Sequence, residues 1–310
     1  GGTDGPVSAL TLNGGTLYAG GLFRSATGLG VSSPRRNLAA FDSLGAVSPW
    51  NPGTNGAVNA LASSPGTLYA GGAFTSAGGA PRNRLAAFDL AVSPGDGVAA
   101  DWHPAADGTV LGMTYSAERG VVYAVGQFKS LNGVAAHGYA AALDALTGKA
   151  DPDFVSPGYR VYAVAADAAG TYAGAGGSGG HLWVWNPDGS VRHDYQTDGG
   201  VEGIAVMNGE IYAGGHFTNY CLNDAGHKTT KFICDRPLLR RKLFSIRLPA
   251  DGANPDWNAT VTDWNPAANS AQGVDAVATD ATNNAVVVGG EFTTINGKAQ
   301  RYFAEFATGR

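Results

Sequence analysis

One sentence of sequence is written six times in this chain, and that repetition limits its fold more than any other property. Gly66-Thr-Leu-Tyr-Ala-Gly-Gly-Ala-Phe74, followed by Arg82-Asn-Arg-Leu-Ala-Ala-Phe-Asp89, is the clearest copy. Leu17 to Phe23 with Arg35 to Asp42, and Val122 to Phe128 with Ala140 to Asp144, are close variants. Thr171 to Ala175, Ile211 to Phe217 and Val286 to Phe292 are looser ones. The equivalent positions Tyr18, Tyr69, Tyr123, Tyr172, Tyr212 and Val287 are 51, 54, 49, 40 and 75 residues apart. A period near fifty that fills the chain means stacked units, none of which can bury its apolar faces alone.

Each unit reads as short strands. Ala57 to Ala62 is apolar and bounded by Gly56 and by Ser63-Ser-Pro-Gly66, which are turn residues. Thr67 to Phe74 is a second strand, whose paired glycines suit close approach by a neighbour. Residues 75–83 make a polar loop, Leu85 to Asp89 a third strand, and the stretch leading to Trp102-His-Pro104 a fourth. Trp50-Asn-Pro52 and Trp264-Asn-Pro266 repeat that ending, with Asp151-Pro-Asp-Phe154 as a degenerate copy. Proline there fits an outermost edge strand, where a missing N–H breaks no ladder.

Four strands per fifty residues, with no helical period, predict an all-β, six-bladed β-propeller of four-stranded antiparallel blades. The expected blades are 1–52, 53–104, 105–155, 156–195, 196–266 and 267–310, forming one domain. Residues 1–6 align with 52–57, so the outer strand of the last blade is expected to be missing or to come from the N-terminus. The chain reads as a segment of a longer one.

The pattern Tyr-Ala-Gly-Gly-x-Phe, Arg-Asn-x-Leu-Ala-Ala-Phe-Asp and Trp-Asn-Pro resembles the bacterial delta-60 repeat and Rax2-like β-propeller families across the whole chain. The resemblance implies an exported or cell-surface protein and carries no catalytic motif.

Charged residues make up only 15% of the chain, with a formal charge of −5 and no Lys/Arg face that recurs with the repeat. Nucleic acid is therefore not an expected partner. No apolar run approaches the ~20 residues of a membrane span. No HExxH, Walker-type or EF-hand spacing occurs.

Two features individualise the chain. The first is an insertion at 218–242 in blade five, which carries most of the local positive charge and both cysteines, Cys221 and Cys234. A disulfide between them is expected, closing a loop worth about 3 kcal/mol by the chain-entropy argument. His227 between them lacks metal-site spacing. The second is the residue after the valine that opens each inner strand: Ser8, Asn59, Leu111, Tyr162, Glu202 and Asp275. These positions vary while their neighbours stay small or apolar.

The expected ligand face combines Asn59, Tyr162, Glu202 and Asp275 with His216 and Trp257. The favoured function is a secreted or cell-surface, non-catalytic adhesion module for a glycan or protein. The rivals are a polysaccharide lyase or glycoside hydrolase using Glu202, Asp275, Tyr162 and His216, and a structural spacer of a large surface protein. Glu202 and Asp275 could divide acid and base roles or bind Ca²⁺ through oxygen ligands; no other cofactor is expected.

Overall fold

The computed structural model describes residues 2–91, 101–135, 138–177, 179–221, 234, 237–248, 262, 264–270 and 273–308. Every regular element among them is a strand, and the strands pair antiparallel. Two compact units divide the chain, Gly1–Gly158 and Tyr159–Arg310.

Each unit holds three modules of one plan: a seven-residue first strand, a six-residue second and a third. In unit 1 the first strands are Val7–Asn13, Val58–Ser64 and Val110–Ser116. They pair with Thr16–Gly21, Thr67–Gly72 and Val121–Gly126. The third strands are Leu38–Phe41, Leu85–Asp89 and Ala140–Asp144. In unit 2 the first strands are Val161–Asp167, Val201–Met207 and Val274–Asp280, paired with Gly170–Ala175, Glu210–Gly215 and Ala285–Gly290. Gly180–Trp185, Leu243–Arg247 and Phe303–Ala307 follow as third strands.

Among the described residues a regular fourth strand, Val191–Thr197, occurs in module 4 alone. The described Trp-x-Pro residues are not in strands. The stretches before them give isolated bridges such as Phe41 to Val47 and Leu143 to Ala150. The tryptophans act as plugs between modules. Trp50 stands edge-on to Tyr18 of its own module at 5.3 Å and to Phe88 of the next at 5.6 Å. Trp102 packs on Tyr69 at 5.1 Å and donates its indole N–H to the Asp144 carbonyl. Trp264 bridges Tyr212 and Phe306 in the same way. One indole buries more apolar surface than a short edge strand and ties two sheets at once.

The loop between second and third strands is also more ordered than its polarity implies. In modules 1, 2, 5 and 6 it forms a small hairpin of its own. Gly2–Thr3 pairs with Ser25–Gly28 of the module 1 hairpin, so the N-terminus completes that hairpin and not the last sheet. Among the described residues the main sheet of the sixth module has three strands, like most of the others.

The core lies between sheets. Val58, Leu61, Leu68, Phe74 and Phe88 meet Tyr18 and Leu38 between modules 1 and 2. Val110, Met113 and Phe128 meet Tyr69 and Leu85 between modules 2 and 3. In unit 2 the equivalent clusters centre on Val201 and Ile204, and on Val274 and Val288.

The paired glycines have two separate roles. A Cβ on Gly71 would overlap Val110 Cγ1 and stand 2.7 Å from Met113 Sδ, so the first glycine is a socket for the next module's valine. A Cβ on Gly72 would overlap the Ala57 carbonyl of its own first strand, so the second lets two backbones cross. Val7 and Leu10 of module 1 are 43% and 60% exposed, where Val58 and Leu61 are 0% and 8%. At Gly289 of module 6, nothing among the described residues stands within 3.7 Å of an added Cβ.

Candidate functional site

The variable residues of the first strands share a backbone cause. In every module the ladder shifts register directly after the opening valine, between Val7 and Ala9, Val58 and Ala60, Val110 and Gly112, Val161 and Ala163, Val201 and Gly203, and Val274 and Ala276. Ser8, Asn59, Leu111, Tyr162, Glu202 and Asp275 are therefore the extra residues of six equivalent β-bulges. A bulged residue has no cross-strand partner, and its side chain is re-aimed relative to the pleat. That frees its identity from sheet packing, which explains why these positions vary.

Three of the six gather with His216 at one end of unit 2. His216 follows the second strand of module 5. The backbone N–H of Gly200 donates to His216 Nε2 at 3.1 Å. A backbone amide can only donate, so the proton of the neutral ring sits on Nδ1. Nδ1 in turn faces Glu202 Oε1 at 3.0 Å. The ring of Tyr162 flanks the same glycine: a Cβ on Gly200 would lie 2.9 Å from His216 Cε1 and 3.4 Å from Tyr162 Cε2. Only a glycine lets the two rings approach there.

Asp275, from the adjoining module, lies close enough to Glu202 for the two carboxyl charges to act on each other. Partial desolvation of its carboxyl, then the charges of Glu202 and Glu291, make Asp275 hold its proton to higher pH than an ordinary aspartate, although the residue as a whole is exposed. Lys242 completes the cluster. It has the left-handed backbone, φ 74°, that Asn37, Arg84, Tyr139 and Tyr302 adopt at the same point of their modules. Its ammonium donates to the His216 carbonyl at 2.7 Å. Burial pulls its proton affinity down, partly offset by Asp198 and Glu202.

The other expected residues go elsewhere. Asn59 belongs to unit 1, where its amide donates to the Val110 carbonyl at 3.1 Å and ties module 2 to module 3. Trp257 and His227 lie outside the described residues, as does most of the 218–242 insertion. Cys221 and Cys234 form a disulfide, with Cα atoms 5.6 Å apart. No group of three His, Cys, Asp or Glu side chains that could hold a metal ion occurs among the described residues, so the Ca²⁺ reading gains no support.

Sequence reasoning missed a second polar network. His181 is buried in module 4, with Nδ1 2.8 Å from Asp194 Oδ1 and its ring stacked 4.1 Å from Tyr159. The Tyr159 hydroxyl donates to Asp194 Oδ2 at 2.9 Å. A signal precedes it: residues 176–180 read Gly-Gly-Ser-Gly-Gly, the Gly-x-Ser-x-Gly spacing. Here the turn joins strand to strand, not the strand to helix of a nucleophile elbow. Ser178 lies outside the described residues.

No family model matches the chain, and no curated protein matches it. Among solved structures it resembles the computationally designed Ika8 protein, with TM-score 0.57 and 13% identity over 96% of this chain and 74% of that one. It also resembles a chain of a Mitotic Checkpoint Complex, with TM-score 0.60 and 12% identity over 91% of this chain and 71% of that one. Likenesses so remote in sequence speak for fold alone, and the all-antiparallel repeated sheets fit a β-propeller.

Proposed function

We propose that the six modules are the blades of one β-propeller, and that the chain is a non-catalytic glycan-binding module of an extracellular setting. The ligand is received at the end of unit 2 that bears Tyr162, Glu202, His216 and Asp275, with the 218–242 insertion beside it in sequence. One observation carries this reading: bulges in three successive modules bring an aromatic ring and two carboxyls to the same histidine. Carboxylates accept from sugar hydroxyls, and an aromatic ring offers an apolar face to a pyranose. The disulfide supports an oxidising compartment. No described helix is long and apolar enough to cross a membrane. Kinship with the delta-60 repeat and Rax2-like families belongs to the same proposal and rests on the repeat wording.

The rival is a carbohydrate-active enzyme, favoured by the raised proton affinity of Asp275 beside Glu202. It requires the two carboxyls to stand ~5–10 Å apart across an open cleft.

A glycan array probed with the full chain is the test, followed by titration of the best hit. Glu202→Gln and His216→Ala should each weaken binding at least tenfold without changing the melting temperature. A blank array, or variants that bind like the parent, would refute the reading and favour a spacer. Release of reducing ends from a bound polysaccharide would favour the enzyme.

A further inference from the structure

Module 5 carries a second built site at its opposite end, about 20 Å away along a strand of six residues at ~3.3 Å each. A pocket of about 730 Å³ opens there, lined among others by Asn208, Glu210, Arg247, Thr262, Trp264 and Asn284. Its volume lies in the range of small-ligand sites.

The residues that make it polar are departures from the repeat. Glu210 pairs with Arg247, Thr67 with Asp89 and Val121 with Asp144 across equivalent strands. Likewise Ser245 faces Tyr212 where Ala87 faces Tyr69 and Ala142 faces Tyr123. Module 5 has thus exchanged a threonine or valine for Glu, an alanine for Ser and an aspartate for Arg at three neighbouring positions. Packing does not call for this, because the other modules are well packed without it.

The three act together. Glu210 is 8% exposed and accepts from Ser245 Oγ at 2.6 Å, Arg247 Nη2 at 2.9 Å and Thr262 Oγ1 at 3.4 Å. Both carboxylate oxygens are therefore engaged. The Arg247 side chain is 40% exposed, and its Nε is buried without a hydrogen-bond partner. The carboxylate forms the floor and the guanidinium faces the opening. Asn208 and Asn284 supply amide groups on the walls, the Thr262 hydroxyl is held by Glu210, Ser245 and the backbone N–H of Trp264, and the half-buried Trp264 supplies an aromatic surface.

We propose that this pocket binds a small carboxylated sugar. The carboxylate takes the terminal N–H donors of Arg247 that Glu210 leaves open. The ring hydroxyls take the Asn208 and Asn284 amides, and the ring lies against Trp264. A neutral sugar would leave the exposed side of the guanidinium to water.

Isothermal titration of the full chain with D-glucuronate and with D-glucose tests this. Glucuronate should bind in the millimolar range, at least tenfold tighter than glucose. Arg247→Gln should abolish the preference. Arg247→Lys, which keeps a cation over Glu210 and so protects the fold, should weaken glucuronate several-fold. Ser8→Ala, at a bulge of unit 1 that belongs to neither site, should leave the titration unchanged. Equal affinity for the two sugars, binding of neither, or an unchanged preference in both Arg247 variants would overturn the proposal. Loss of binding in Glu202→Gln would do the same, by placing the ligand at the first site.

Discussion

Gly71→Ala is the sharpest probe of how the modules hold together. The added methyl meets Val110 Cγ1 and Met113 Sδ, both in the buried cluster between modules 2 and 3. The backbone of Gly71 is not left-handed, so alanine brings no conformational strain there. The whole effect is overpacking, which costs typically 1–3 kcal/mol in a close-packed core. Taking about 2 kcal/mol, and ~2–4 °C per kcal/mol for a unit of this size, Tm should fall by roughly 4–8 °C. Gly158→Ala is the control. It adds a methyl where nothing among the described residues stands within 4 Å and the backbone is not left-handed. It should be neutral or gain up to ~1 kcal/mol through the unfolded chain. Urea denaturation and thermal melts of both variants give the comparison. Val110→Ala combined with Gly71→Ala should show a favourable coupling, as expected for residues in contact. The socket argument is refuted if Gly71→Ala stays within 0.5 kcal/mol of the parent, the ordinary range for surface changes, or if Gly158→Ala costs as much.

Two further outcomes are expected. Asp275 binds its proton more tightly in the folded chain than in the unfolded one. The native state therefore holds the extra proton between those two values, and stability falls as pH rises through that window. Asp275→Asn should remove this loss and leave the protein slightly more stable at pH 7, by less than about 1 kcal/mol because the residue remains solvent-exposed; parallel urea titrations from pH 3 to 7 with identical slopes would contradict it. Reduction of Cys221–Cys234, which are 13 residues apart, should cost about 3 kcal/mol. Coincident unfolding curves with and without a reductant would show that the bond holds nothing.

Much of this architecture was legible in the residues. Tyr69 and its equivalents, with the glycines after them, located the second strands, and the polar stretches between copies marked the turns. The role of Trp50, Trp102 and Trp264 was not legible. A proline two residues on reads as an edge-strand signal, and nothing local reveals that an indole reaches the next sheet. Glu202, Asp275 and Tyr162 were singled out because their positions vary, but the cause, an added residue in the ladder, leaves no mark of its own in composition. Asn59 shared that variability and turned out to be a tie to Val110. Glu210, Ser245 and Arg247 escaped attention because each is unremarkable alone. Their signal appears only when the copies are set side by side at strand register.

The six bulges have a consequence for how such a chain can change. An unpaired side chain at the lip of a sheet can be exchanged without refitting the seam below it, because the valine before it and the small residue after it do the fitting. Serine, leucine, tyrosine and two acids already occupy one and the same backbone niche. A library randomised at positions 8, 111, 162, 202 and 275 should therefore stay folded while its surface chemistry varies freely, making the scaffold a natural starting point for selecting new specificities.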